Sequence, residues 1–354
     1  MMGLFRRQTS QAGDPRPAIE RFWRWWAENR ESIIEAADAH DNDRVAELLR
    51  PAVAAIDGGL VGELRRGRDA RYLLVVSGGG KPELRVLAER WYLAAPEPDA
   101  DAEYAPARPR DARTLESTLV VDDFELPLQE LVVGTRFDQR RLRFDIVVHH
   151  PLFPLIQQES RLRVAFLALD AAVGEDDVER WIGAVDVSAD APIDAIAISA
   201  LPGVIDQLRP AARRGGESLN DQWAVFRGTT SEGAIQATVR RPFARADRPL
   251  CDTYVAIVLT YPKGEDGLPI DERIVAAVRD LQDACVAALG GDGPHVTPIG
   301  HELAGGRAIV HIYVDGLTVD PRQLKPVLSG WEYGVARLRT LADPAWRAVG
   351  HLLT

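Results

Sequence analysis

The chain has 354 residues, 46% of them hydrophobic and 27% charged, with a formal net charge of −11. That length suits about two domains at roughly 100–200 residues each, and the composition is that of an ordinary globular protein. The acidic excess is heaviest over residues 111–219 and removes the electrostatic attraction that non-specific nucleic-acid binding requires, so no nucleic-acid partner is expected.

Two cysteines, Cys251 and Cys285, cannot frame a chain of this size with disulfides. No apolar run approaches the ~18 residues of a membrane span, and no apolar segment follows Arg6 and Arg7 to make a signal peptide. A cytoplasmic location without a membrane partner is the expectation. Lys81, Lys263 and Lys325 are the only lysines among 42 basic residues, a bias of the kind a GC-rich genome produces.

Residues 1–16 read as a flexible tail. A helix is predicted from about Ala18, with Phe22, Trp23 and Trp26 on one face by i, i+3, i+4 spacing. Trp25 points away from that face and is a candidate platform for a partner, set against plain core packing of the aromatics. A second helix over Asp43–Ile56 is expected to kink or divide at Pro51 and to end at Gly58-Gly59. Strands follow at Leu60–Arg65 and Arg71–Ser77. The run Ser77-Gly78-Gly79-Gly80-Lys81 then leads into a helix over Pro82–Leu93. It lacks the GxxxxGK[ST] spacing and any hydroxyl after the lysine, so it reads as a strand-to-helix connection and not as a phosphate cradle. GxGxxG is absent as well, and no cofactor is expected.

Ala94–Arg113 reads as an extended loop, followed by strands at Ser117–Asp122, Leu131–Phe137 and Arg140–Val148. The last two form a hairpin across Asp138-Gln139. His149 and His150 face opposite sides of a strand, which argues against a shared metal. Leu152–Asp170 is apolar enough for a core helix or a helix pair. Glu175, Asp176 and Asp177, with Asp170 and Glu179 nearby, form a carboxylate cluster suited in principle to a divalent cation. The D-x-D-x-D-G loop is missing, however, and acidic residues also favour a helix start, so no metal site is assigned.

Pro210–Asp221 is rich in glycine and charge and reads as a linker. A hairpin of Trp223–Arg227 and Ile235–Arg241 comes next. Thr253–Tyr261 is apolar on both faces, as an interior strand should be. The following helix places Ile270, Ile274, Val278, Leu281, Cys285 and Leu289 on one stripe and stops at Gly290-Gly291. A hairpin around Gly305-Gly306 pairs Ala304 with Arg307. That register puts His301 on the apolar face and groups Glu302, Arg307, His311 and Tyr313 on the other. The group is either a polar patch with acid–base capacity or ordinary cross-strand pairing on an open sheet face. Asp320-Pro321 and Asp343-Pro344 read as helix starts, Val335–Thr340 as a last strand and Trp346 as an anchor.

The order of elements implies an α+β protein with mainly antiparallel sheets, helices packed on one face and a ferredoxin-like C-terminal part. The expected division is an N-terminal α+β region over 17–210, in one piece or two with a break near 95–113, a linker over 211–221 and a C-terminal α+β domain over 222–354.

Asp221 and Trp223, the segment TYPKGEDGLP, the long helix after it, the GGR hairpin running into the Tyr313 strand, and Asp343-Pro344-Ala345-Trp346 together resemble the domain of unknown function 695 family of bacterial proteins. FWRWW, ERWYLAAP and FLALDAAVGEDD resemble the upstream region of its longer members. The resemblance covers nearly the whole chain, rests on largely structural motifs and implies no established activity. Some members carry an appended ribonuclease E inhibitor-like domain, which implies regulation through protein contact.

The expectation is a non-enzymatic protein-binding or regulatory module acting on a protein partner or on a second copy of itself. The alternative is a hydrolase or nuclease using Glu302, His311 and Tyr313 or the acidic cluster. No GxSxG, HExxH or CxxC pattern supports it, and no catalytic residue is assigned.

Overall fold

The structure is a computed structural model that describes residues 13–139, 141–211, 223–230, 233–241 and 243–353. Most of the expected tail, residues 1–12, and the expected linker from residue 212 onward lie outside the described residues. In chain order the elements begin with α1 (Arg16–Asp38), α2 (Asn42–Ala54), β1 (Val61–Arg66), β2 (Tyr72–Ser77), α3 (Arg85–Leu93) and β3 (Ala102–Ala105). They continue with β4 (Thr118–Val121), β5 (Phe124–Pro127), β6 (Val132–Asp138), β7 (Arg143–His149), α4 (Gln158–Val173), α5 (Glu175–Trp181), β8 (Ile182–Ser188), β9 (Ile196–Ala197) and α6 (Leu201–Ala211). Last come β10 (Trp223–Thr230), β11 (Gly233–Arg240), β12 (Thr253–Thr260), α7 (Glu272–Ala288), β13 (Val296–Ala304), β14 (Arg307–Val314), α8 (Lys325–Ser329), β15 (Ala336–Ala342) and α9 (Gly350–Leu353). The protein is α+β, with mostly antiparallel pairing; β2–β3 and β7–β8 are parallel. Among the described residues no helix is long and apolar enough to cross a membrane.

The packing does not follow a linear division at 211–221. Unit 1 joins the described residues up to Pro106 with Pro249–Ala348, and unit 2 contains Ala107 to Thr230, Ile235–Arg248 and the residues from Val349. The handover at Pro106 falls inside the 95–113 stretch. Ion pairs distant in sequence link the two parts of unit 1: Arg90 of α3 reaches Asp252 at 2.9 Å and Asp315 at 2.7 Å.

In the first part of unit 1, α1 buries Ile19, Phe22, Trp26 and Ile33 against Leu49 and Val53 of α2, Leu74 and Val76 of β2, and Trp91 of α3. The helical spacing of those apolar residues predicts this face. α2 runs through Pro51 as one helix, so the expected division there does not occur. Asp41 caps it by accepting the Arg44 N–H at 2.9 Å.

The second part of unit 1 is built on β12. It pairs antiparallel with β14 on one side and β15 on the other, and β13 extends the sheet beyond β14. α7 covers one face with Ile274, Val278, Leu281 and Cys285, which meet Val255, Ile257 and Leu259 of β12. The helix begins one turn later than its pattern predicts. Asp271 is the N-cap and accepts the Arg273 N–H, which leaves Ile270 65% exposed and outside the stripe. The β13–β14 turn has φ of +58° at Gly305 and +80° at Gly306, a geometry that costs glycine nothing and fixes the expected Ala304–Arg307 register.

Unit 2 centres on a four-stranded sheet in the order β8-β7-β6-β9 with α4 and α6 packed on it. Val133, Phe144, Ile146 and Val148 meet Val164, Ala168, Leu169, Leu201 and Ile205 in its core. The expected strand at Ser117–Asp122 is half of a hairpin. It turns at Asp122 and Asp123, with φ of +49° and +67°, into β5. Arg140, placed in a strand by its sequence, lies outside the described residues.

Candidate functional site

The polar patch of Glu302, Arg307, His311 and Tyr313 is only partly assembled. His311 on β14 sets Nε2 3.2 Å from Glu302 Oε2 of β13 and Nδ1 2.6 Å from the Tyr254 hydroxyl of β12. With Nε2–H donating to the carboxylate, Nδ1 accepts the phenolic O–H. Burial, with Glu302 and Asp343 adding to it, pushes the Tyr254 hydroxyl well above the ordinary phenol range. Tyr313 turns to a different partner and donates to Asp343 Oδ2 at 2.6 Å. Burial and then the Asp343 charge raise its pKa still further. Asp343 also accepts the N–H groups of Arg347 and Ala348 at 3.0 and 2.8 Å.

This face is covered, as the both-sided apolarity of β12 implies, and is not the open sheet surface that one of the two readings of the patch allowed. His311 is 2% and Tyr313 0% exposed. Trp346 stacks on Tyr313 at 4.5 Å and donates its indole N–H to the Cys251 carbonyl at 2.7 Å, while Tyr313 lies 5.3 Å from Tyr254. Arg307 stands apart at the exposed end of the hairpin. The arrangement holds protons in fixed hydrogen bonds, with His311 and Tyr313 shielded from solvent and Glu302 partly exposed. His301 faces the other way, toward α7, with Nδ1 3.0 Å from Gln282 Oε1.

The acidic cluster is taken up by arginines and backbone donors. Glu175 accepts the Arg108 N–H at 3.2 Å, Asp177 pairs with Arg180 at 3.6 Å and Asp170 with Arg108 at 3.7 Å. Asp176 sits in the same first turn of α5, where acidic residues suit the helix start. Among the described residues no group of three or more ligating side chains could hold a metal. Trp25 is half-buried, with its ring 5.6 Å from Phe22, and belongs to the margin of the aromatic core. The adjacent histidines are also structural: His150 is fully buried, accepts the Leu152 N–H on Nδ1 and donates from Nε2 to the Pro127 carbonyl.

Two features escape a sequence reading. Asp315 is 3% exposed and gathers the Arg90 guanidinium, the Leu317 N–H, the Thr318 hydroxyl and His295 Nδ1 at 3.0 Å. Burial works to raise its pKa, but the Leu317 N–H and Arg90 outweigh it and hold the carboxyl below its ordinary value. Thr318 also borders a cleft of about 520 Å³ lined by Gly316–Arg322, Leu338 and Thr340. Only the Asp315-Gly316 turn is local enough to be visible in sequence.

The second feature is β10. It pairs with β11 and is the terminal strand of its sheet, so its outer edge has no strand neighbour among the described residues. Trp223 is 42%, Val225 58% and Phe226 39% exposed. By the two-residue period of a strand, Trp223 and Val225 share one face and Phe226 lies on the other. Arg241 lies over the Phe226 ring, 4.7 Å from its centre.

Comparison with family models, curated proteins and solved structures finds no match. The functional reading therefore rests on the chemistry of these surfaces. His311 and Tyr313 are buried, whereas the β10 edge has no strand neighbour among the described residues and carries exposed aromatic and aliphatic side chains.

Proposed function

We propose that this protein is a non-enzymatic protein-binding module, related to the domain of unknown function 695 family, that works in the cytoplasm. The observation that carries the reading is the exposed edge strand β10 with Trp223 and Val225 on its surface. Such an edge offers main-chain hydrogen bonds to a partner strand and apolar side chains for specificity. Natural edge strands are usually blunted by charge, proline or a cover, and the first four residues of β10, Trp-Ala-Val-Phe, carry none of these within the strand. The partner is a protein or a second copy of this chain. The order β12-α7-β13-β14-α8-β15, with antiparallel pairing throughout, supports a ferredoxin-like reading of that part. A hydrolase or nuclease reading of Glu302, His311 and Tyr313 lacks support, because two of the three are sealed from solvent.

The test is photo-crosslinking from a probe residue at Val225 in cells. One discrete protein adduct, lost on Trp223→Ser while folding is retained, is the expected result. Absence of adducts, or adducts indifferent to Trp223→Ser, would sink the reading. An adduct at twice the chain mass would identify the partner as a second copy.

A further inference from the structure

β15 is a terminal strand of its sheet, with β12 on one side and no strand neighbour on the other among the described residues. Two hydrogen bonds fix which of its main-chain groups are left over. The Thr260 N–H donates to the Val335 carbonyl at 2.9 Å, and the Asp343 N–H donates to the Asp252 carbonyl at 2.8 Å. The β12–β15 register runs unbroken between these pairs, so the alternate residues Arg337, Arg339 and Leu341 bond inward to β12. Ala336, Leu338, Thr340 and Ala342 therefore aim their main-chain groups outward, away from β12.

Leu338 and Thr340 also line the cleft of about 520 Å³, whose remaining lining is the segment Gly316–Arg322. Leu317, Val319 and Pro321 of that segment are half-buried and make much of the lining apolar. A groove beside an unfilled strand edge is the arrangement that takes an extended peptide. Arg337 and Arg339 alternate with Leu338, so they project to the other face of the strand, and both are exposed. β15 carries no carboxylate, which makes it locally basic on a chain of net charge −11. Arginines on an edge discourage pairing with another copy: antiparallel self-pairing centred on Leu338 sets Arg337 opposite Arg339. The same charges favour a strand with carboxylates at alternate positions.

We infer that β15 and the adjoining cleft bind an extended acidic peptide as an added antiparallel strand. The peptide exchanges main-chain hydrogen bonds with Leu338 and Thr340. Its apolar residue opposite Leu338 enters the cleft, and the carboxylates on either side of that residue lie opposite Arg337 and Arg339. Those two positions form non-hydrogen-bonded pairs with the added strand, where cross-strand side chains come closest. The site shares no residue with β10 and stands or falls apart from the reading of that strand.

The experiment is fluorescence anisotropy of a labelled heptapeptide of alternating glutamate and valine, titrated with the full chain at low ionic strength. Saturable binding is expected. A lysine–valine heptapeptide should not bind, nor should a peptide of the same composition with its glutamates grouped at one end. Arg337→Glu should weaken binding by at least about tenfold, because it replaces attraction with repulsion. Thr340→Pro deletes one outward N–H at an exposed edge position, leaves the β12 ladder intact and should weaken binding to a similar degree. If Thr340→Pro does not fold, peptides N-methylated at alternate residues carry the comparison on the unaltered protein. Methylation along one peptide edge should abolish binding, and methylation along the other should spare it. Trp223→Ser should bind like the wild type. Absence of binding, equal binding of the grouped peptide or indifference to Arg337→Glu overturns the inference. Loss of binding on Trp223→Ser alone would move the peptide to β10, and a dimer dissolved by Thr340→Pro would give the edge to a second copy; either result also overturns it.

Discussion

His301 and His311 stand on adjacent strands, β13 and β14, yet face opposite sides of one sheet. His301 meets Gln282 of α7 and His311 meets Tyr254 of β12. Burial, with the charges of His311 and Arg279 adding to it, lowers the His301 pKa from 6.5 to about 4. The unfolded chain therefore binds the proton more readily than the folded one between those values. Stability from this group is complete above about pH 6.5 and falls as the pH drops toward 4, by on the order of 3 kcal/mol. Urea unfolding at about pH 7 and about pH 4 should show a larger loss for the wild type than for His301→Leu. Parallel losses would mean that His301 is protonated without consequence.

Arg90 is 11% exposed and bridges Asp252 and Asp315 across the two parts of unit 1. Arg90→Gln leaves two partly buried carboxylates facing each other, so a destabilisation of about 3–5 kcal/mol is expected. Arg163→Gln removes an exposed pair with Glu159 and should leave the urea midpoint nearly unchanged. A midpoint for Arg90→Gln close to the wild type would show that the two parts are held by something other than this bridge.

The two buried tyrosines should separate on substitution. Tyr313→Phe removes a donor to the Asp343 carboxylate, worth about 1.5–3 kcal/mol, whereas Tyr254→Phe removes one to an imidazole nitrogen, worth about 1 kcal/mol. Equilibrium unfolding of both variants checks the order. A reversed order would place the greater part of the network's stability on the Glu302–His311–Tyr254 side.

Cys285 is fully buried, and burial pushes its thiol up to about 12; Cys251 is 1% exposed. Neither should react with a thiol-specific disulfide reagent in native buffer, and both should react in denaturant. A fast-reacting thiol in the native protein would show that α7 or the segment before β12 opens locally.

Much of the architecture is legible because it is local. The 3.6-residue spacing of α1 and α7, the both-sided apolarity of β12 and the Gly305-Gly306 turn each carry their own signal. β5 is not legible in the same way, because its turn uses Asp122 and Asp123 in the left-handed region where glycine or asparagine would be the usual sign. The candidate site was half visible. The register correctly places Glu302, His311 and Tyr313 on one face of the sheet. The cover over Tyr313 comes from Trp346, a residue 33 positions beyond it whose ring stacks on the tyrosine.

The discontinuity of unit 1 has a consequence for biosynthesis. Arg90 leaves the ribosome 162 residues ahead of Asp252 and 225 ahead of Asp315, its two counter-charges. The apolar core of unit 2, which runs from Leu115 to Ile205, is fully translated before either appears. The usual order, in which the N-terminal domain is finished first, is therefore reversed. The middle of the chain can settle while the beginning waits, and a translational pause between residues 205 and 252 would lengthen that wait without disturbing the core already formed.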